Sequence, residues 1–372
     1  MIEHVVRRGL EHPSTVAFIK RTVAEGPDVE IPAWGISTLG VTFWAIFVFV
    51  IMVDYSLKNV VATLAMVETP SAAITISAAQ TEAGSKDDKQ GLLETGNTIT
   101  LVHQKPITSG IRATLRHLVS LAGAWSRVRG ILAYFLYAFC FSFVSNVFVG
   151  LLPKVSGSII LAVAASGALL ANLHASWTHK VIAMPTDKCF HKRIPARAEW
   201  KVLALPAAVQ AAMPYISLYI ITGFGYLLFG ANVRQENYTN LNAGEWIWLI
   251  VRCIMMVFVA LACTIFICLP AMVTQIRVEA SILPEDQDTI VPFDRTFNGK
   301  VVPKILGGSG SIGFMDAWRS FNWEARIRLI KVYVKVFFII TAMLLTFGVV
   351  MLLEAMAIMG PAFAKAIKNA QA

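Results

Sequence analysis

One stretch limits what this chain can fold into more than any other: Trp246–Met272, whose only charge is Arg252. It is long enough to cross a hydrocarbon core of ~30 Å as a helix. A helix on the surface of a soluble protein needs a polar face, and this stretch has none. Trp246 and Trp248 at its start suit a membrane interface. The solvent around this segment is therefore a bilayer, and Arg252 inside it requires a partner or a wet cavity.

Comparable apolar runs recur at 35–53, 131–152, 158–173, 202–230 and 332–360. Together they predict an all-α integral membrane protein with about six transmembrane helices, joined by amphipathic interfacial helices. Only 15% of residues are charged, against roughly 25% in globular domains, which agrees with several spans. The formal net charge of +9 then marks cytosolic loops. No interleaved basic and aromatic motif points to nucleic acid. The first apolar run begins near Gly35, too late for a cleaved signal peptide. Residues 1–34 read as a lumenal or extracytosolic head. Four of the five cysteines (Cys140, Cys253, Cys263, Cys268) sit in apolar runs, where Cys acts as a small hydrophobe. No disulfide framework is expected.

Within this 35–360 membrane domain, Ser56–Val67 continues the first span as a surface helix. Residues 68–104 are rich in Ser, Thr, Gly, Glu and Lys and read as a flexible cytosolic loop. Residues 106–129 form a basic juxtamembrane helix. Spans two and three form a hairpin, with small residues four apart (Ala162 and Ser166, Gly167 and Ala171) that allow close helix approach. Residues 275–331 form a cytosolic loop whose Phe314–Lys331 part reads as an interfacial helix feeding span six. Residues 361–372 are a tail. Lys and Arg number eight in 55–129, six in 174–201 and eight in 275–332, but one each in the two opposite loops (Lys154, Arg234). That bias places loops one, three and five in the cytosol. The sequon Asn237-Tyr-Thr falls on the opposite, lumenal side and is a glycosylation candidate.

Arg252 and Glu354 are expected about 9 Å in from the lumenal ends of spans five and six, at ~1.5 Å per residue. Equal depth on consecutive antiparallel helices suggests an intramembrane charge pair. Its role is either a gate in a transport path or a helix-locking ion pair, with snorkelling of Arg252 as a further alternative. Span four contains Pro206 and Pro214 and is expected to be discontinuous. Its Gln210, Pro214, Ser217 and Thr222, with Asn146 of span two, make a candidate cavity. His174, His179, Asp187, Cys189 and His191 are metal-ligand types, but their spacing fits no metal motif. A basic loop against anionic lipid is the better reading. Gly308–Gly313 matches G-x-G-x-x-G without the strand–helix context that nucleotide binding needs. No catalytic constellation stands out, so neither cofactor nor metal is expected and the chain reads against an enzyme.

Leu283–Lys300 (Leu-Pro-Glu-Asp-Gln-Asp-Thr-Ile-Val-Pro-Phe-Asp-Arg-Thr-Phe-Asn-Gly-Lys) and Asp316–Lys331 carry a resemblance. There the chain resembles a poorly characterised family of fungal multi-pass membrane proteins, some labelled ubiquitin carrier or conjugating proteins. The resemblance implies a fungal source and a multi-pass fold. Conjugation needs a soluble domain around an activated cysteine, and Cys189, the loop cysteine, has none. The leading functional expectation is a transporter or channel, or a subunit of one, in an endomembrane or the plasma membrane. The alternative is a non-catalytic scaffold or adaptor acting through basic cytosolic loops. A lipid-modifying enzyme using loop three is third. Expected partners are the bilayer, anionic lipids at the basic loops, and other proteins.

Overall fold

The computed structural model describes residues 33–69, 72–77, 98–103, 106–186, 193–230, 242–302 and 306–360. Five helical segments are long and apolar enough to cross a membrane, or six if one bent pair counts as a span. The protein is thus an all-α multi-pass membrane protein. The head at 1–32, the tail at 361–372 and Asn237 lie outside the described residues.

The first span is α1, Ala33–Asp54, which runs through a π-helical turn at Tyr55–Val61 into α2, Ala62–Val67. The expected surface helix at 56–67 is corrected: Val60 to Val67 are sealed in the core. Apolar residues surround this segment on all sides, which is the pattern of a buried helix. Ala72–Ser77 (β1) and Thr98–His103 (β2), expected within a flexible loop, instead pair antiparallel, from Ala72 opposite His103 to Ser77 opposite Thr98. Amphipathic α3, Ile111–Ala122, leads through a short 3-10 turn to α4, Ile131–Leu151.

The chain returns through α5, Ser158–Leu169, and α6, Ala171–Ile182, which meet at a 61° bend. This is the discontinuous span. The expected break in span four is corrected, because α7, Trp200–Phe229, is one continuous helix with Pro206 and Pro214 inside it. α5 is pressed against α7. A Cβ added at Gly167 would lie 2.6 Å from the Ala207 carbonyl oxygen and 2.7 Å from the Ala211 Cβ. Only a residue without a side chain fits there.

α8, Ala243–Cys263, passes through a π-helical turn at Thr264–Cys268 into α9, Leu269–Ser281. Pro270 has no N–H for the carbonyl of Phe266, which accounts for the turn at that point. The expected interfacial helix at 314–331 is also corrected. It splits into α10, Phe314–Arg319, and the start of α11, Trp323–Met359. Its apolar residues Ala317, Phe321, Ala325 and Leu329 are buried against protein, not lipid. α11 packs on α1, so the last span lies beside the first.

Two regions result. The spans are sparsely covered: 0% to 11% of each apolar window is buried within the protein. Below them lies a close-packed base built from the π turn and α2, α3, α6, α9, α10 and the start of α11.

Candidate functional site

Arg277 holds the base together. Its Nη1 donates to the Met66 carbonyl, Nε to that of Ala317 and Nη2 to the Ser320 hydroxyl, each at 3.1 Å. Phe297 and Phe321 face its guanidinium at 4.9 and 5.4 Å. Phe297 and Asn298 have positive φ, a rare conformation for non-glycine residues, held by a turn that caps on Asp294. The Asp294 carboxylate accepts bonds from the backbone N–H of Thr296 and Asn298 and from the Thr296 hydroxyl. Burial alone would raise its pKa. The bonds from Thr296 and Asn298, with the nearby Arg277 charge, outweigh burial and hold it below the usual value.

A second polar cluster surrounds Glu279, which is 1% exposed. His174 Nδ1 lies 2.7 Å from its Oε1, and the Thr178 hydroxyl donates to Oε2 at 2.5 Å. Gln275 donates to Oε1 at 2.9 Å, and His179 Nε2 sits 2.8 Å from the Glu279 carbonyl. His174 and His179 are thus committed to one carboxylate residue on α9. Among the described residues no group of three His, Cys, Asp or Glu could hold a metal. Asp187, Cys189 and His191 lie outside them.

Of the sequence candidates, Arg252 and Glu354 are not brought together. Arg252 lies over the rings of Phe229 and Trp248, at 5.7 and 5.5 Å. The Thr42 hydroxyl donates to Glu354 Oε1 at 2.9 Å, joining α1 to α11. Sequence order suggested that spans five and six are neighbours, but α8 packs on α7 and α11 on α1. Nor do the cavity candidates converge. Asn146 is exposed and donates to the Ser142 carbonyl of its own helix. Pro214 is exposed, while Ser217 is buried with its hydroxyl 3.3 Å from Cys268 Sγ. Gln210 and Thr222 are half-buried on α7. Gly308 and Gly310 serve a tight turn in which the Gly310 N–H donates to the Val302 carbonyl at 3.1 Å.

The most developed site lies where α4 enters the bilayer. A pocket of about 780 Å³ opens between the 3-10 turn before α4, the start of α4 and the end of α6. Trp125, Ile131, Leu132 and Leu136 give it an apolar wall, and Arg129, Lys180 and Arg193 give it three cations. No carboxylate stands among the described lining residues. Trp125 is 79% exposed, and an exposed indole of this kind marks the headgroup level.

The local sequence explains the positions. Gly130 has φ +78°, and a Cβ there would meet Trp177, Tyr55 and Val181 at 3.3 Å. A glycine lets the chain turn there directly into α4. Arg129 is buried at that turn and bonds two of the carbonyls at the end of α6, where a helix leaves such groups without intrahelical partners; the Ile182 carbonyl there accepts from the Ile290 N–H instead. Its Nε donates to the Lys180 carbonyl and its Nη2 to that of Ala183, both at 2.5 Å. The Tyr55 hydroxyl donates to the Arg129 carbonyl at 2.7 Å and accepts from Trp177 Nε1 at 2.9 Å. Arg129 Nη1 bonds none of the described residues. The Lys180 ammonium likewise bonds none of the described residues. Arg193 Nη2 is held by the Thr186 carbonyl at 3.1 Å and hydroxyl at 2.5 Å, and burial pushes its guanidinium below its ordinary value. No family model matches the chain, and neither a curated protein nor a solved structure does.

The pocket was not identifiable as such in the sequence. Arg129 and Arg193 are 64 residues apart in number (193 − 129), and no local motif links them to Lys180. Excess Lys and Arg in loops one and three was the only available signal, and it named loops without their meeting point.

Proposed function

We propose that this protein is a non-catalytic membrane scaffold or adaptor whose base captures an anionic phospholipid. One observation carries the reading: fixed cations and an apolar wall share a pocket where a span meets its interface. Cations lining one pocket repel each other, and an anion there relieves the repulsion. Phosphate groups suit arginine and lysine donors, and an acyl chain suits the wall formed by Leu132 and Leu136. The excess of Lys and Arg on this side supports a cytosolic base, where anionic lipids concentrate. The same orientation makes Asn237 lumenal, and a glycosidase-sensitive mobility shift lost in Asn237→Gln tests it.

The lipid reading is tested by purifying the protein into nanodiscs of zwitterionic lipid, with and without an anionic phospholipid. Anionic lipid should remain bound through delipidation and raise the unfolding temperature. Equal stability in the two nanodiscs, with no lipid retained, would sink the proposal. A transport reading has separate support in the bent third pass and in the buried His174–Glu279 contact below the bend, since broken helices often line substrate paths. Solute or proton flux in proteoliposomes that Glu279→Gln abolishes, with the fold intact, would favour it instead.

A further inference from the structure

We infer that a second pocket, between the start of α3 and the base of α11, binds a phosphate group. It shares no lining residue with the α4–α6 pocket, so it goes beyond the reading above and does not depend on it. Its volume is about 360 Å³. Ser109 to Ile111 line one side, and the face of α11 from Glu324 to Lys335 lines the other.

Arg328 is the anchor. Only 12% of its side chain is exposed, yet its buried Nε and Nη2 have no hydrogen-bond partner. Glu68 Oε2 lies 3.7 Å from Nη2, beyond hydrogen-bond reach. Both Glu68 oxygens are already taken, by the N–H groups of Ile107 and Thr108 and by the Thr108 hydroxyl. A buried guanidinium without a hydrogen bond is costly. No bond holds the Arg328 fork, so it is free to turn to an acceptor in the pocket.

Lys331 and Lys335 follow on the same face of α11. Both are exposed, and neither ammonium bonds a described residue. Glu324 also lines the pocket, and Glu68 stands behind Arg328. Three cations against two carboxylates leave one positive charge among these residues, which a single negative charge balances. The larger excess is of donors, since none of the three cations is hydrogen-bonded within the described protein. A carboxylate offers two oxygens to such a set, whereas a phosphate offers more acceptors in a tetrahedral arrangement.

The location agrees. Lys335 is the last charge before the uncharged run Val336–Leu353, so the pocket lies where a span meets its headgroups and where a lysine reaches phosphate. Val332 and Val336 pack with Leu57 and Val61, with Ile111 beside them, and this apolar floor fixes α3 against α11. A phospholipid headgroup and a free phosphate ion present the same chemistry here, and the test separates them.

Full-length protein is delipidated in a maltoside detergent. One arm titrates inorganic phosphate at constant ionic strength by calorimetry, with chloride as the control. The other adds phosphatidylglycerol and counts retained lipid by native mass spectrometry. Lys331→Gln/Lys335→Gln should weaken binding by about tenfold or more. Both lysines are exposed and unbonded, so the fold should survive. Glu324→Gln should act in the opposite direction and tighten binding, which damage to the fold would not do. Saturable phosphate binding identifies a free-ion site, and lipid retained against excess phosphate identifies a headgroup site. Binding of neither ligand, equal binding in the double variant, or a response to phosphate no larger than to chloride overturns the assignment. Lys180→Gln separates the two pockets. Lipid lost in that variant alone supports the α4–α6 reading and overturns this site, whereas lipid lost in the lysine double variant alone does the reverse.

Discussion

The base and the spans follow opposite rules. In the base, Arg277, Glu279 and Glu68 are almost completely buried and their polar atoms are bonded from several elements. Glu68, for example, accepts from the backbone N–H of Ile107 and Thr108 and from the Thr108 hydroxyl. In the spans, Trp44, Phe139, Phe258 and Leu345 point outward, and polar contacts between helices are few. The difference follows from solvent. The core of the base is closed to solvent, so each polar group buried there needs a partner within the protein. The spans are surrounded by lipid as apolar as their own side chains, so burying one against another gains little. Stability should therefore be concentrated in the base, and the bilayer half should depend on a few close contacts.

The largest effect expected is at Arg277. Arg277→Ala strands the Met66 carbonyl, leaves the Ala317 carbonyl with the Ser320 hydroxyl alone and opens space between Phe297 and Phe321, at a cost of about 3 kcal/mol or more. Thermal unfolding in detergent checks this. Arg277→Lys should rescue little, because one ammonium does not reproduce three guanidinium donors. If Arg277→Ala unfolds within a degree of the wild type, the base is not the stable half. Next is Gly167. Gly167→Val drives a side chain into the Ala207 backbone and should cost about 1–3 kcal/mol. Gly150→Val is the control in the same hairpin, since no atom lies within 4 Å of a Cβ there. Equal behaviour of the two variants would mean that α5–α7 contact does not stabilise the spans.

What was legible in the sequence divides along the same boundary. Apolar run length is a local property, so the spans were found close to where they lie. The base depends on which segments meet, and that is not local. Val60–Val67 read as surface although its all-round apolar pattern fits a buried helix; what the segment alone does not say is that α9 and α11 cover it. The 314–331 helix read as interfacial for the same reason: its apolar face fits lipid or protein equally well. Pro206 and Pro214 suggested a break in α7 that neighbouring helices absorb, while the real bend falls at Leu170, in a run without Pro. The Arg252–Glu354 expectation assumed that consecutive spans are neighbours, whereas Arg252 lies over Phe229 and Trp248 and Glu354 meets Thr42. Of the eventual pocket, only the loop charge was visible.

Those two charges allow a finer test of the spans. Glu354 is tied to Thr42 across α1 and α11, so Thr42→Val and Glu354→Gln should each lower stability by about 1 kcal/mol, in the range measured for interhelical bonds in membranes. The pair should be non-additive. A double-mutant cycle between Arg252 and Glu354 should instead give a coupling energy within ~0.5 kcal/mol of zero, as for residues without a shared partner. Clear coupling between Arg252 and Glu354 would mean that α8 and α11 are neighbours after all, and that the packing order of the spans is different.

The smallest effect tests the rim of the base, where water replaces lipid. Asp294 caps the turn that presents Phe297 to Arg277, and its pKa is held below the ordinary value. A carboxyl with a depressed folded-state pKa adds stability above its unfolded pKa of about 3.9, and that stability is lost as pH falls through the folded value. Wild type should therefore exceed Asp294→Asn in stability at pH 7, and the gap should close below about pH 4. Because the carboxylate is largely open to solvent, screening keeps the electrostatic gap under ~1 kcal/mol. Unfolding temperatures of both proteins from pH 7 to pH 3 read it directly. A gap that persists unchanged at pH 3 would assign the role of Asp294 to turn geometry alone, since Asn keeps one oxygen acceptor and tolerates the same backbone.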